Sequence, residues 1–174
     1  AFISAMTNAA NSIRLHRLRG VRDTYAEQPG CSVQLFTRDY TPREELGNTD
    51  LEQRIGYELT MLCLKKKSRV SAFVAVNDFI AYGVLDAIAD SGLRVPDDYS
   101  VCGFNNLSSS RISHVGLTTV EHQTDAWARN AVDILYERIR GGNAVSDITR
   151  VAYAHRLLER RSTAPFHPSS QEKQ

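Results

Sequence analysis

Amide side chains follow two apolar runs of this chain at the point where each run ends. Asn77 comes directly after residues 72–76, and Asn105 comes directly after residues 100–104. If both runs are parallel strands, their carboxyl ends meet at the sheet edge where open α/β sheets bind ligands. An amide both donates and accepts hydrogen bonds, which suits a ligand that carries hydroxyl groups. The two asparagines therefore predict a small-molecule site at this edge.

Arg17 is a third candidate for the same site. It lies near the start of a predicted helix that follows a predicted strand. There its guanidinium could form paired hydrogen bonds with vicinal hydroxyls or with a carboxylate. Arg14, Arg19 and Arg22 belong to the same helix, so a solvated basic face is the competing interpretation.

Each asparagine also has a purely structural interpretation. Either Asn77 or Asp78 could cap the helix that follows, since both residue types are favoured N-caps. We expect Asn77 to contact ligand and Asp78 to cap. Asn105 and Asn106 could simply form a turn between two elements.

The elements that must position these side chains alternate along the chain. Amphipathic spacing and capping signals predict helices, and apolar runs bounded by Gly and Pro predict strands. This alternation is typical of an α/β fold with a doubly wound parallel sheet and right-handed crossovers. The predicted helices are 8–27, 49–64, 79–91 and 124–140, and the predicted strands are 1–5, 31–36, 72–76, 100–104, 117–120 and 151–158.

Composition is that of an ordinary globular chain. The 174 residues are 42% hydrophobic, with a formal net charge of +1. This balance argues neither for disorder nor for a basic nucleic-acid surface. No apolar run is long enough to span a membrane, and residues 1–5 lack the features of a secretory signal, so the cytoplasm is the expected location.

Metal, cofactor and catalytic patterns are not evident. Cys31, Cys63 and Cys102 are far apart and lack ligand spacing. We therefore expect three reduced core thiols, no metal site and no cofactor. The five histidines do not join a serine or cysteine in a nucleophile pattern, which predicts a protein that is not an enzyme.

Several short motifs, in order and at consistent spacing, resemble one known family. Any one of them would be a weak signal, but the set is specific. The chain is similar to the effector-binding core of the lactose-repressor (LacI/GalR) family of bacterial transcription regulators. The motifs are Arg17–Gly20, Asn77-Asp78-x-x-Ala81-x-Gly83, Gly92–Asp98, Ser100–Phe104, Leu117–Val120 and Arg161–Pro165.

The resemblance implies the C-terminal half of a sensor domain like a type I periplasmic binding protein. Such sensors have two α/β subdomains joined by three crossing strands. By analogy, residues 1–119 form the C-terminal subdomain, 120–157 cross into an N-terminal subdomain outside this chain, and 158–174 are a return strand and tail. Helix 124–140 would then expose an apolar face. That face and helix 79–90, which resembles the family's subunit interface, predict a homodimer.

The resemblance also defines the ligand-binding set Arg17, Asn77, Asn105 and His122. The family's matching arginine and asparagine contact the effector at the first two positions. Asn105 stands where relatives commonly have aspartate, and His122 stands where many have glutamine. These two departures predict a changed choice of effector, although His122 could instead be an exposed hinge residue beside Glu121.

The implied function is sensing of a sugar or sugar-like metabolite. Binding would modulate operator recognition by a DNA-binding domain outside this chain. The alternative is the solute-binding protein of a sugar transporter, which shares the fold. A third hypothesis, an enzyme using Asp39, Asp78, His122 and Asp125, lacks a supporting nucleotide-binding or nucleophile motif.

Overall fold

The computed structural model describes residues 1–5, 12–41, 44, 50–66, 68–112, 116–141 and 148–166. Strands and helices alternate along the chain as the sequence pattern predicts. The elements are β1 Phe2–Ala5, α1 Ser12–Ala26, β2 Leu35–Arg38, α2 Leu51–Lys65, β3 Ala72–Ala75, α3 Asp78–Asp90, β4 Ser100–Phe104, α4 Ser108–Ile112, β5 Thr118–Glu121, α5 Thr124–Arg140 and β6 Arg156–Leu158.

Six strands form one sheet in the order β2-β1-β3-β4-β5-β6. The pairings from β2 through β5 are parallel, and β6 runs antiparallel to β5. The predicted α/β class is confirmed, with a sheet that is mostly parallel. The carboxyl ends of β1, β3, β4 and β5 therefore meet at one edge, which is where the candidate site residues follow their strands.

The core lies between the sheet and two closely packed helices. Phe2, Ile3 and Phe73 of the sheet are fully buried, as are Ile55 on α2 and Ile80 on α3. Strand β1 is buried along its whole length, as expected for a strand covered on both faces.

Helices α2 and α3 approach each other so closely that glycine is required at both contact points. A Cβ atom at Gly83 would overlap the carbonyl oxygen of Gln53, and one at Gly56 would overlap that of Ile80. Ala81, Leu85 and Ile88 of α3 are buried in the core, whereas Ala89 is exposed.

Two predicted strands differ from the observed ones. The strand predicted at 31–36 is observed at Leu35–Arg38, where it pairs with β1 from Phe2 to Ala5. Cys31 is exposed, so the prediction of three core thiols is wrong for this residue. The strand predicted at 151–158 covers only 156–158, because it pairs with the last three residues of the short β5.

Other bounds agree within a residue or two where they can be compared. The strand 100–104 and the helix 124–140 are confirmed as predicted. The short helix α4 was not predicted. Residues 8–11 of the first predicted helix, Thr49 and the tail from 167 lie outside the described residues.

Helix α5 contributes nothing to the core. None of its residues is buried. Val132, Leu135 and Ile139 are 58–71% exposed, and Trp127 is 41% exposed. The expected exposure of an apolar face on this helix is therefore confirmed for these four residues, while Ile134 is partly buried.

Candidate functional site

Arg17 joins the carboxyl ends of three neighbouring strands. Its Nη1 donates to the backbone carbonyl of Val76 at 2.6 Å, directly after β3. Its Nη2 lies 3.4 Å from Asn105 Oδ1 and 3.2 Å from His122 Nε2, which follow β4 and β5. The guanidinium carbon lies 4.3 Å from the ring centroid of Phe104, a distance typical of cation–π contact.

The contact with Arg17 defines the protonation of His122. A guanidinium only donates, so Nε2 must accept, and the neutral ring then carries its proton on Nδ1. Burial, followed by the charges of Arg17 and His155, lowers the pKa of His122 below its ordinary value. Nδ1 is buried and has no hydrogen-bond partner among the described residues.

An aromatic cluster surrounds the His122 ring. The ring centroids of Phe104, Trp127 and His155 lie 5.9, 5.4 and 4.8 Å from it. Tyr153 packs in turn on Trp127 at 6.3 Å. These rings reduce the access of water to His122 and so favour its neutral form.

Asn77, and not its neighbour Asp78, is the N-cap of helix α3. Its Oδ1 accepts from the backbone N–H of Ile80 at 2.9 Å, which caps α3. Its Nδ2 donates to Glu52 at 2.7 Å, and the same carboxylate pairs with Arg14. The prediction that Asp78 caps α3 is therefore wrong.

Asp78 turns into the protein instead. Its side chain is fully buried and accepts hydrogen bonds from residues near β4 and β5. Asn and Asp are equally good caps, so only the surrounding donors distinguish the two roles.

The turn after β4 has an unusual backbone. Asn105 and Asn106 have φ angles of 110° and 52°, a region in which asparagine is enriched among non-glycine residues. The N–H of Asn105 donates to Val120 at 2.9 Å, while Asn106 bonds Glu121 and Arg160 through its side chain. The chain therefore bends sharply after β4, and the Asn105 side chain faces Arg17.

The structure brings Arg17, Asn105 and His122 into direct contact and places Asn77 immediately after Val76, whose carbonyl binds the same arginine. Sequence reasoning did not single out Phe104, Trp127, Tyr153, His155 or Glu52 as site residues. Trp127 could have been noticed as the only tryptophan, placed five residues after His122.

The site combines one fixed cation with amide and imidazole groups. Within the described ranges, no group of three or more His, Cys, Asp or Glu side chains could hold a metal ion. In the same ranges no helix is long and apolar enough to cross a membrane. The arrangement suits recognition of hydroxyl, carbonyl or acidic groups by hydrogen bonds.

Comparison with known families gives a match over nearly the whole chain. Residues 1–163 match the family described as a periplasmic binding protein-like domain. The chain belongs to this family. The resemblance to LacI-type regulators is also confirmed, since solved structures similar to this chain are regulators of that type and the curated relatives are HTH-type transcriptional repressors.

Three similar proteins illustrate the match. The transcriptional repressor PurR of Salmonella arizonae is 34% identical over 119 residues, which are 67% of this chain and 34% of the repressor. A LacI-family regulator of Enterococcus faecalis, solved with bound ribose, is 25% identical with a TM-score of 0.73 over 95% of this chain and 55% of its own. A LacI-type regulator of Bifidobacterium animalis is 28% identical with a TM-score of 0.71 over 95% of this chain and 59% of its own.

The chain is shorter than these relatives. It spans about a third of the length of the curated repressors it matches. It spans somewhat more than half of the solved regulators.

Proposed function

We propose that this chain is the effector-sensing part of a LacI-type transcription regulator. It binds a sugar or sugar-like metabolite at the edge where Arg17, Asn77, Asn105 and His122 meet. Binding alters operator recognition by a DNA-binding domain outside this chain. A regulator that acts on DNA works in the cytoplasm, which is where we expect the protein.

The observation that carries the proposal is the contact of Arg17 with three strand ends. The Arg17 guanidinium is half-buried, and among the described residues no carboxylate is bonded to it. It can therefore exchange its contacts with Asn105 and His122 for contacts with ligand oxygens. The E. faecalis regulator, which has the same fold, was solved with ribose. This supports a small hydroxyl-rich effector.

The proposal also assigns a role to helix α5. We propose that residues 120–157 cross into an N-terminal subdomain and that residues 1–119 and 158–174 belong to the C-terminal one. The exposed apolar side chains of α5 support the crossing. We further propose a homodimer, in which Phe79, 48% exposed on α3, belongs to the subunit contact.

Calorimetry on the full-length protein that carries this chain tests effector binding. Ribose, lactose and ribose 5-phosphate form the panel, and Arg17→Ala is the test variant. Loss of a buried polar contact costs about 1–3 kcal/mol, so affinity should fall about tenfold or more. Arg19→Ala, an exposed arginine on the same helix, is the matched control and should bind as the wild type does.

Two results would contradict the proposal. The first is equal affinity in wild type and Arg17→Ala. The second is a ligand that binds but leaves operator DNA binding of the full-length protein unchanged in a mobility-shift titration. That second result would favour the solute-binding alternative.

A further inference from the structure

Asp78 is a fully buried carboxylate that lies just below the candidate site. Its Oδ2 accepts from the N–H of Leu107 at 2.8 Å and from Ser110 Oγ at 2.6 Å. Its Oδ1 accepts from Thr119 Oγ1 at 2.6 Å. No basic side chain forms an ion pair with it in the described part of the chain. Three short hydrogen bonds therefore replace water around the charge.

The three donors belong to segments that carry site residues. Leu107 and Ser110 follow the turn that contains Asn105, and Thr119 lies three residues before His122. Thr119 Oγ1 also lies 3.3 Å from the N–H of Asn106. The carboxylate thus connects the N-terminus of α3 to both segments that face Arg17.

The fold leaves space for this carboxylate. A Cβ atom at Gly103 would overlap Asp78 Oδ1, so β4 passes the side chain only because residue 103 is glycine. Ser110 and Thr119 are themselves fully buried. The hydroxyl of Ser110 is further held by Tyr82 at 2.7 Å.

We propose that Asp78 is a positioning residue of the effector site, which sets the places of Asn105 and His122 relative to Arg17 without touching the effector. The inference rests on the proposed function for its biological meaning. Its physical reason is geometric. The contacts of Arg17 with Asn105 and His122 measure 3.4 and 3.2 Å, and a displacement of about 1 Å would break either one.

The test uses Trp127, the only tryptophan of the chain, whose ring packs on His122. A protonated imidazole quenches a neighbouring indole, so tryptophan fluorescence against pH reports the titration of His122 in the 174-residue protein. His122→Gln should abolish the transition and so identify it. The groups around this imidazole are Arg17, His155 and the more distant Asp78.

Ser110→Ala and Thr119→Val each remove one donor to Asp78, and Thr119→Ser restores a hydroxyl. Ser162→Ala is the matched control, because Ser162 is also fully buried and its hydroxyl donates at 2.6 Å to a different acceptor, the carbonyl of Val101. Both test variants should raise the transition midpoint by about half a pH unit or more, as His122 loses burial and its contact with Arg17. Thr119→Ser and Ser162→Ala should keep the wild-type midpoint.

The inference is overturned if the test variants keep the wild-type midpoint, or if Ser162→Ala shifts it equally, since the carboxylate would then only stabilise the fold. In the full-length protein, Ser110→Ala should weaken ribose binding about tenfold or more relative to Ser162→Ala. Failure of the wild type to bind any sugar would count against the proposed function alone, because the fluorescence result needs no ligand.

Discussion

Arg17 and Arg14 lie one helical turn apart but have different surroundings. Arg14 pairs with Glu52, whereas Arg17 bonds a carbonyl, an amide and an imidazole. Burial, followed by the charge of Arg14, lowers the pKa of Arg17, yet a guanidinium stays charged at neutral pH. Arg17, whose bonded partners are neutral, is therefore the arginine available to a ligand.

The lowered pKa of His122 predicts a pH dependence of stability. The folded-state pKa lies below the unfolded value near 6.5, so the unfolded chain binds more protons as the pH falls below that value. The contribution of His122 is therefore present at neutral pH and is lost as the pH falls towards the folded pKa. Urea unfolding between pH 7.5 and 5 should show a flatter profile for His122→Gln than for wild type.

The matched control for this measurement is His16→Gln, which removes an exposed imidazole on α1. It should keep the wild-type profile. Identical profiles for wild type and His122→Gln would show that the imidazole is not held neutral by its surroundings.

Asn105→Asp should change the charge preference of the site. Aspartate tolerates the same backbone region, and its carboxylate would lie beside the Arg17 guanidinium, 3.4 Å from the present amide oxygen. Affinity for ribose 5-phosphate should fall by about tenfold relative to ribose, because the new carboxylate and the phosphate are both negatively charged. Calorimetry with both ligands on the full-length protein measures this ratio, and an unchanged ratio would remove Asn105 from the site.

At the scale of elements, the helix pair α2 and α3 holds two parts of the site. Glu52 on α2 binds Asn77, which caps α3. This contact depends on the close approach that Gly56 and Gly83 permit. Helix packing thus fixes the distance between the cap and Arg14 of α1, which pairs with Glu52.

Gly83→Ala should destabilise the protein by about 1–3 kcal/mol or more, because the added methyl overlaps the backbone of α2. Gly20→Ala is the matched control, since a Cβ at this exposed α1 position meets no atom within 4 Å. It should stabilise by about 0.5–1 kcal/mol through helix propensity. Urea unfolding of both variants checks the opposite signs, and equal effects would contradict the close packing.

At the scale of the whole molecule, the exposed apolar face of α5 is the feature least expected of an isolated globular chain. Val132, Leu135, Tyr136 and Ile139 are all more than half exposed. Burial of each such side chain contributes about 1.5–3 kcal/mol, so we expect association that covers this face to stabilise the isolated chain.

Leu135→Gln with Ile139→Gln should therefore reduce self-association of the 174-residue protein in sedimentation velocity and lower the binding of a hydrophobic-surface dye. Glu137→Gln, another exposed α5 position, is the matched control and should behave as the wild type. A wild-type chain that stays monomeric at high concentration without dye binding would contradict this prediction.

Sequence alone determined the alternation of strands and helices, the mostly parallel sheet and the family. These depend on local periodicity and on short motifs, which are readable along the chain. It also singled out Arg17, Asn105 and His122 as candidates, and the fold brings them into contact because each follows or faces the carboxyl end of a parallel strand. The carboxyl ends of parallel strands share one edge of the sheet whatever the strand order, so this contact could be expected without knowing that order.

Tertiary packing, and not local sequence, sets which of two adjacent residues caps α3 and which one is buried. Asn77 and Asp78 are equivalent as local signals, but donors from Leu107, Ser110 and Thr119 surround the Asp78 carboxylate. The packing of Phe104 and His155 on the His122 ring likewise has no signal in the sequence. Such partners are distant in the chain, and a side chain's neighbours across a sheet are set by packing rather than by local spacing.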